Sequence, residues 1–243
     1  MRPILSGLAF LLFSAVSGSA QATECRDIRM EGLSFTICET RPGEDRIELF
    51  HADAEGEVFG SFDAVEEASA PRRVILAMNA GMYHPDRSPV GHLVIDGEER
   101  MRVIASAGPG NFGLLPNGIF CIEEDRSRVI ETLRYQETRP DCAFATQSGP
   151  MLVIDGELHP RFLPDSDSRF VRNGVGTDDA GTRAVFVISN QPVTFHEFAR
   201  VFRDELNLDQ ALYFDGRVSR LHAPEFGRSD PGFAMGPIVA VLE

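Results

Sequence analysis

Apolar residues in this chain come in short runs, each cut off by a turn, and that pattern bounds the fold more tightly than any other feature. Val74-Ile-Leu-Ala-Met78 and Ala184-Val-Phe-Val-Ile188 are continuous apolar runs, the first ending in Asn79-Ala-Gly and the second entered from a glycine-rich segment. Runs of this length, rich in β-branched residues, read as strands buried on both faces. Ser34-Phe-Thr-Ile-Cys38 and Arg46-Ile-Glu-Leu-Phe50 instead alternate, as half-buried antiparallel strands do. Leu93-Val-Ile-Asp-Gly-Glu98 recurs letter for letter as Leu152-Val-Ile-Asp-Gly-Glu157, each copy preceded by a polar segment containing Gly, Ser and Pro. The Asp96-Gly97 and Asn117-Gly118 dipeptides predict tight hairpins, and Arg128 to Tyr135 reads as a further strand.

Helix signals are fewer. Ser61 to Ala70 suits a short helix, with Asp63 and Glu66-Glu67 near the positive end of its dipole. Thr194 followed by Glu197 is a capping box, and Phe195, Phe198, Ala199, Phe202 and Leu206 then share one helical face. The 243 residues, 43% of them apolar, can bury a full core, and no linker divides them. These signals predict an α/β (α+β) chain, a single domain over residues 23–243 with a mixed, largely antiparallel sheet core flanked by a few helices.

Residues 1–22 hold one arginine, an apolar run from Ile4 to Val16 and small residues ending Ala20-Gln-Ala22, the pattern of a cleaved secretory signal peptide. That run is too short for a spanning helix, and no later segment approaches the roughly 20 apolar residues one needs, so no stable membrane insertion is expected. The expected location is periplasmic or secreted. Four cysteines remain, Cys25, Cys38, Cys121 and Cys142, and an even count in an exported chain favours disulfides. Of three connectivities, the sequence-local Cys25–Cys38 with Cys121–Cys142 is preferred. No pair has the spacing of a zinc site.

Charge removes several functions. The formal net charge is −14, and all 23 basic residues are arginine. A lysine Schiff base, a P-loop lysine and a lysine general base are therefore excluded. An acidic chain without a basic patch also lacks the footprint that nucleic acid needs.

Four polar turns leave the apolar strands or lead into them: Asn79 to His84, Gln147 to Gly149, Arg172 to Arg183, and Asp215 to Ser219. If their strands share a sheet, the turns bring together a carboxylate, arginines, amides, a hydroxyl and a histidine. Such a set suits hydrolysis at an anionic or sugar-like centre. A carboxylate can act as base or nucleophile, and arginine can hold phosphate bidentately. Asp215-Gly216 also reads as one more hairpin turn. No cofactor or metal is called for; Asp178-Asp179, or Asp165 with Asp167, leaves a divalent cation open.

Five blocks carry a resemblance. Asn79-Ala-Gly-Met-Tyr83, Gly113 to Phe120 with its Pro-Asn-Gly, Ala145-Thr-Gln-Ser-Gly-Pro150, Arg172-Asn-Gly-Val-Gly176 and Ala211-Leu-Tyr-Phe-Asp-Gly216 resemble, in order, the phosphodiester glycosidase family. That is the family of the lysosomal uncovering enzyme, which removes N-acetylglucosamine from a phosphodiester on mannose. The likeness is to its bacterial exported branch and covers roughly residues 70 to 240. It implies an α/β domain with a mixed sheet, hydrolysis of a glycosidic bond to phosphate, and a carbohydrate or sugar-phosphate substrate. By matching positions it implies that Asn79, Ser148, Gly149, Arg183, Asp215 and Gly216 line the pocket. Where the animal enzymes carry a run of glycines after the aspartate, this chain has Gly216, Arg217 and Val218 before Ser219.

The expected roles are then Asp215, Asn79 and Arg183 as catalytic residues, with Asp215 as acid/base or nucleophile. Ser148, Gly149, Gly216, Arg172, Asn173 and His84 would bind substrate, Arg172 helping Arg183 hold the phosphate. Two alternatives stand beside this: a non-catalytic binder of an envelope glycan using the same cleft, and a serine hydrolase using Ser148. The second lacks a nucleophile elbow, because Thr146 and Pro150 occupy the places where that motif has glycine.

Overall fold

The computed structural model describes residues 23–243. The signal-peptide reading falls on residues 1–22 and lies outside the described residues. Three antiparallel sheets build the fold, with seven, five and five strands. The seven-stranded sheet runs, edge to edge, through Glu24–Met30, Leu33–Thr40, Ala184–Ser189, Asn173–Thr177, Gln210–Asp215, Met151–Ile154 and Glu157–Leu158. A second sheet centres on Val74–Asn79, flanked by Leu221–Ala223 and Ile238–Leu242. The third has Phe144–Ser148 between Leu93–Ile95 and Gly118–Ile122.

One apolar cluster draws on all three sheets, among others Leu76, Met78, Leu93, Phe120, Met151, Phe186, Leu212 and Phe214. The far face of the seven-stranded sheet is covered by the helix Phe195–Arg200 and the π-helical turn Val201–Glu205, whose Phe198 and Phe202 meet Phe35, Val185 and Val187. This double covering is why Ala184–Ile188 is apolar at every position. The same holds for Val74–Met78, because the helix Phe62–Ser69 packs Phe62 and Val65 onto Ala77 and Ala240. Ser61 caps the first of these helices, and Thr194 caps the second as its sequence predicts, closing the full capping box with Glu197.

Both sequence-local disulfides are present, Cys25–Cys38 and Cys121–Cys142. No helix of the described residues is long and apolar enough to cross a membrane. Two local expectations change. The segment from Arg128 splits into a strand, Ser127–Glu131, and a helix, Thr132–Thr138. Glu131 starts that helix by accepting hydrogen bonds from the Leu133 and Arg134 amides, a cap that the neighbouring β-branched residues masked. Asn117-Gly118 is not a hairpin tip: the Asn117 carbonyl instead accepts from the Thr132 amide, and Gly118 opens a strand between two partners.

Candidate functional site

Strand register decides which polar turns can meet. Asn173 pairs with Asp215 at one end of their shared ladder, and Thr177 pairs with Gln210 at the other. Asn79 ends its strand opposite Ile238. The sheets are joined at this rim by short polar links: the Gly81 amide donates to Thr146 Oγ1 at 3.1 Å, and Ser148 Oγ donates to the Phe214 carbonyl at 3.1 Å. Asn79, Ser148, Asn173 and Asp215 therefore converge.

They converge in layers. Asn79 and Asn173 are fully buried and form a reciprocal amide pair, each Nδ2 donating to the other's Oδ1 at 3.2 Å. Asn173 Nδ2 also donates to the Asn79 carbonyl at 2.9 Å, and Asn79 Oδ1 accepts from the Arg220 amide at 2.9 Å. Ser219 Oγ is shared among the Val171 and Asp215 carbonyls and Asn173 Oδ1. This amide layer lies beneath the turn that holds Asp215.

Above it opens a cleft of about 770 Å³. One wall is Met82-Tyr83-His84, another the loop from Ser106 to Phe112, and the floor carries Tyr213, Asp215 and Gly216, with Phe170 and Arg217 alongside. Asp215 Oδ1 accepts from the amides of Gly216, Arg217 and Val218, so the turn fixes the carboxylate. Its Oδ2 makes no hydrogen bond among the described residues. Asp215 is the one acidic residue lining the cleft among those described.

Two glycines mark close approach. A Cβ on Gly149 would sit 2.7 Å from the Asn117 Cβ and 3.1 Å from the Phe112 carbonyl, so this glycine lets its turn press against the base of the cleft loop. A Cβ on Gly216 would sit 2.2 Å from the Tyr213 hydroxyl.

His84, Asp215 and Gly216 thus reach the cleft itself. Asn79, Asn173, Ser148 and Gly149 lie beneath it as supports. Ser148 is fully buried, and its hydroxyl donates to the Phe214 carbonyl with no histidine partner among the described residues, which form no nucleophile–base pair there. Arg172 is 1% exposed and sits behind the wall, its guanidinium 3.7 Å from the Phe195 ring centroid and near the rings of Phe170 and Tyr213.

Arg183 does not join the group, which corrects the expectation for it. It precedes Ala184, which pairs with Thr177, at the opposite end of the ladder from Asp215. Four residues of strand separate the two ends, about 13 Å. There Arg183 makes a bidentate ion pair with Glu39 at 3.0 Å and donates to the Leu206 carbonyl at 2.7 Å. The spacing misled because the Arg172 to Arg183 segment spans a whole strand rather than one turn. The hydrogen bond from Arg183 holds the Glu39 carboxyl below its ordinary range. Arg183→Met is expected to cost about 1–2 kcal/mol in urea unfolding at pH 7. A depressed carboxyl stabilises above its unfolded pKa, so the difference from wild type should shrink as pH falls below about 4. Identical unfolding curves at pH 7 would leave the pair without weight.

Sequence reasoning missed the aromatic and loop walls: Tyr83, Tyr213, Phe112, Phe170 and the Ser106 to Asn111 segment. A usable signal was present, since two of the chain's three tyrosines stand next to the polar turns. The Tyr83 hydroxyl is buried without a partner among the described residues. Burial, then the nearby charge of Asp215, pushes its pKa up to about 12.

Known proteins resemble this chain in sequence and in fold. The sequence profile of the family described as phosphodiester glycosidase matches residues 72–223, which hold all the rim and cleft residues above. Uncharacterized protein YigE of Escherichia coli K12 is 31% identical over 216 residues, covering 88% of this chain and 83% of its own. The catalytic domain of zebrafish N-acetylglucosamine-1-phosphodiester alpha-N-acetylglucosaminidase, auto-inhibited by its pro-peptide, matches with a TM-score of 0.63 at 15% identity, over 91% of this chain and 82% of that one. A putative exported protein of Burkholderia pseudomallei matches with a TM-score of 0.56 at 10% identity, over 87% and 74%. At such identities the two structures attest the fold alone. The profile spans more than half of the chain, and together with the relative at 31% identity it establishes that the chain belongs to the phosphodiester glycosidase family.

Proposed function

We propose that the protein is an exported hydrolase that cleaves the glycosidic bond to phosphate in a sugar phosphodiester of an envelope or extracellular glycan. The observation that carries this reading is the single carboxylate that lines the cleft among the described residues. Hydrolysis of an ordinary glycoside commonly uses two carboxylic groups, one of them to protonate an alkoxide leaving group. A departing phosphate monoester needs no such proton, because it is stable as an anion, its second pKa being about 6. One carboxylate then suffices. Asp215 Oδ2 takes the proton of an attacking water, or itself attacks the anomeric carbon to form a glycosyl ester that water then hydrolyses, freeing the sugar and the carboxylate; in either case the bond electrons leave with the phosphate oxygen. Retention of anomeric configuration would identify the nucleophile and inversion the base.

Aromatic side chains on the cleft walls suit a sugar ring, and Arg217 brings positive charge to the rim. Two disulfides and the leader-like first 22 residues support export. The test is release of reducing sugar from a panel of synthetic sugar 1-phosphodiesters, with matched alkyl glycosides as controls. Turnover of the phosphodiesters alone is the expected result. Saturable binding with no sugar released after long incubation would identify a glycan-binding protein, and turnover of the alkyl glycosides would refute the leaving-group argument.

A further inference from the structure

With Arg183 at the other end of the sheet, the phosphate needs a different seat. Tyr213 lies on the strand that delivers Asp215, its ring packed edge-on against Phe195 at 4.7 Å between centroids. The ring is buried, but its hydroxyl reaches the backbone of Gly216, inside the turn that carries Asp215, and Tyr213 forms part of the cleft floor.

Behind it stands Arg172. Its Nε donates to the Val193 carbonyl at 2.9 Å and its Nη2 to the Ser168 carbonyl at 3.0 Å, while Nη1 has no partner among the described residues. Nor is Arg172 in any of the ion pairs formed by those residues, although it is 1% exposed. A buried cation without a counter-ion is costly and calls for an anion. The rings of Tyr213 and Phe170, both of them in the cleft lining, are 5.5 and 5.4 Å from its guanidinium carbon.

We propose that the Tyr213 hydroxyl, backed by the unpaired charge of Arg172, is the hydrogen-bond donor that seats the substrate's phosphate beside Asp215. Tyr213 touches the ligand, and Arg172 is a positioning residue acting through it. The phenol suits this role because burial raises its pKa, against the opposing pull of Arg172, so it keeps its proton across the neutral range. It therefore donates a hydrogen bond and does not transfer the proton. Gly216 is required at its position so that the hydroxyl stays clear.

This inference rests on the proposed function, and the test separates the two. Glucose 1-phosphate and N-acetylglucosamine 1-phosphate, with the free sugars as controls, are titrated calorimetrically into full-chain wild type, Tyr213→Phe and Gly216→Ala. Tyr213→Phe keeps the ring and its packing. It is expected to weaken sugar-phosphate binding about 10- to 100-fold with free-sugar binding unchanged, the loss of one hydrogen bond to an anion. Gly216→Ala should show the same phosphate-selective loss by displacing the hydroxyl. Sugar-phosphate affinity equal to wild type in Tyr213→Phe overturns the inference and leaves the function standing. A wild type that does not distinguish sugar phosphates from free sugars overturns both.

Discussion

Asp215→Asn is expected to slow release of sugar from a phosphodiester by roughly a thousandfold, the scale of a lost general base or nucleophile, while the protein melts as wild type does. The geometry predicts both halves. Asp215 Oδ1 accepts from the amides of Gly216, Arg217 and Val218, and the asparagine Oδ1 can accept the same three bonds. The new Nδ2 replaces an oxygen that makes no bond among the described residues, so the turn and the strand before it keep their shape. What disappears is the charge and the basic lone pair that faces the cleft. Asp215→Ala would remove the turn's acceptor as well, so a drop in its melting temperature without one in Asp215→Asn separates the two functions of the carboxyl. A rate within tenfold of wild type in Asp215→Asn would remove Asp215 from the chemistry.

The fold was legible where one physical cause acts alone. Val74–Met78 and Ala184–Ile188 announced strands covered on both faces, and the structure supplies a helical layer over each sheet. Thr194 and Glu197 announced their helix through a reciprocal hydrogen-bond requirement that sequence spacing satisfies directly. Glu131 carried no such announcement, because its capping bonds use only its own carboxylate, within a segment whose β-branched residues argue for a strand. For the site, the turns were legible and their roles were not. Asn79 and Arg183 look alike as polar residues beside apolar strands, but the register puts one under Asp215 and the other at the far end of the ladder. Register is a property of pairing between distant segments and leaves no trace in the spacing of either. The cleft loop, Ser106 to Phe112, belongs to no periodic element, so its contribution appears only once the sheets are assembled.

Asn79→Asp separates a supporting role for Asn79 from a catalytic one, and its effect should be on stability. The substitution is nearly isosteric, yet it places a carboxylate at a fully buried position where Asn79 Nδ2 now donates to Asn173 Oδ1. Two oxygens would then face each other, and among the described residues the Arg220 amide and Asn173 Nδ2 would be the donors left to the new group. Burial disfavours the charged form, so the carboxyl's folded pKa must rise above the roughly 3.9 it has in the unfolded chain. A group raised in the folded state is harmless below its unfolded pKa, and its cost grows as pH climbs towards the folded value. Relative to wild type at each pH, Asn79→Asp should therefore lose least near pH 4. By pH 7 it should have lost about 3–5 kcal/mol, the cost of an uncompensated buried charge. Turnover, measured on the fraction still folded, should also fall, because Asn173 pairs with Asp215 and shares the Ser219 hydroxyl with that turn. If the stability deficit is the same at pH 4 and pH 7, the buried-charge account is wrong. If stability is untouched while turnover collapses, Asn79 acts on the substrate and not beneath it.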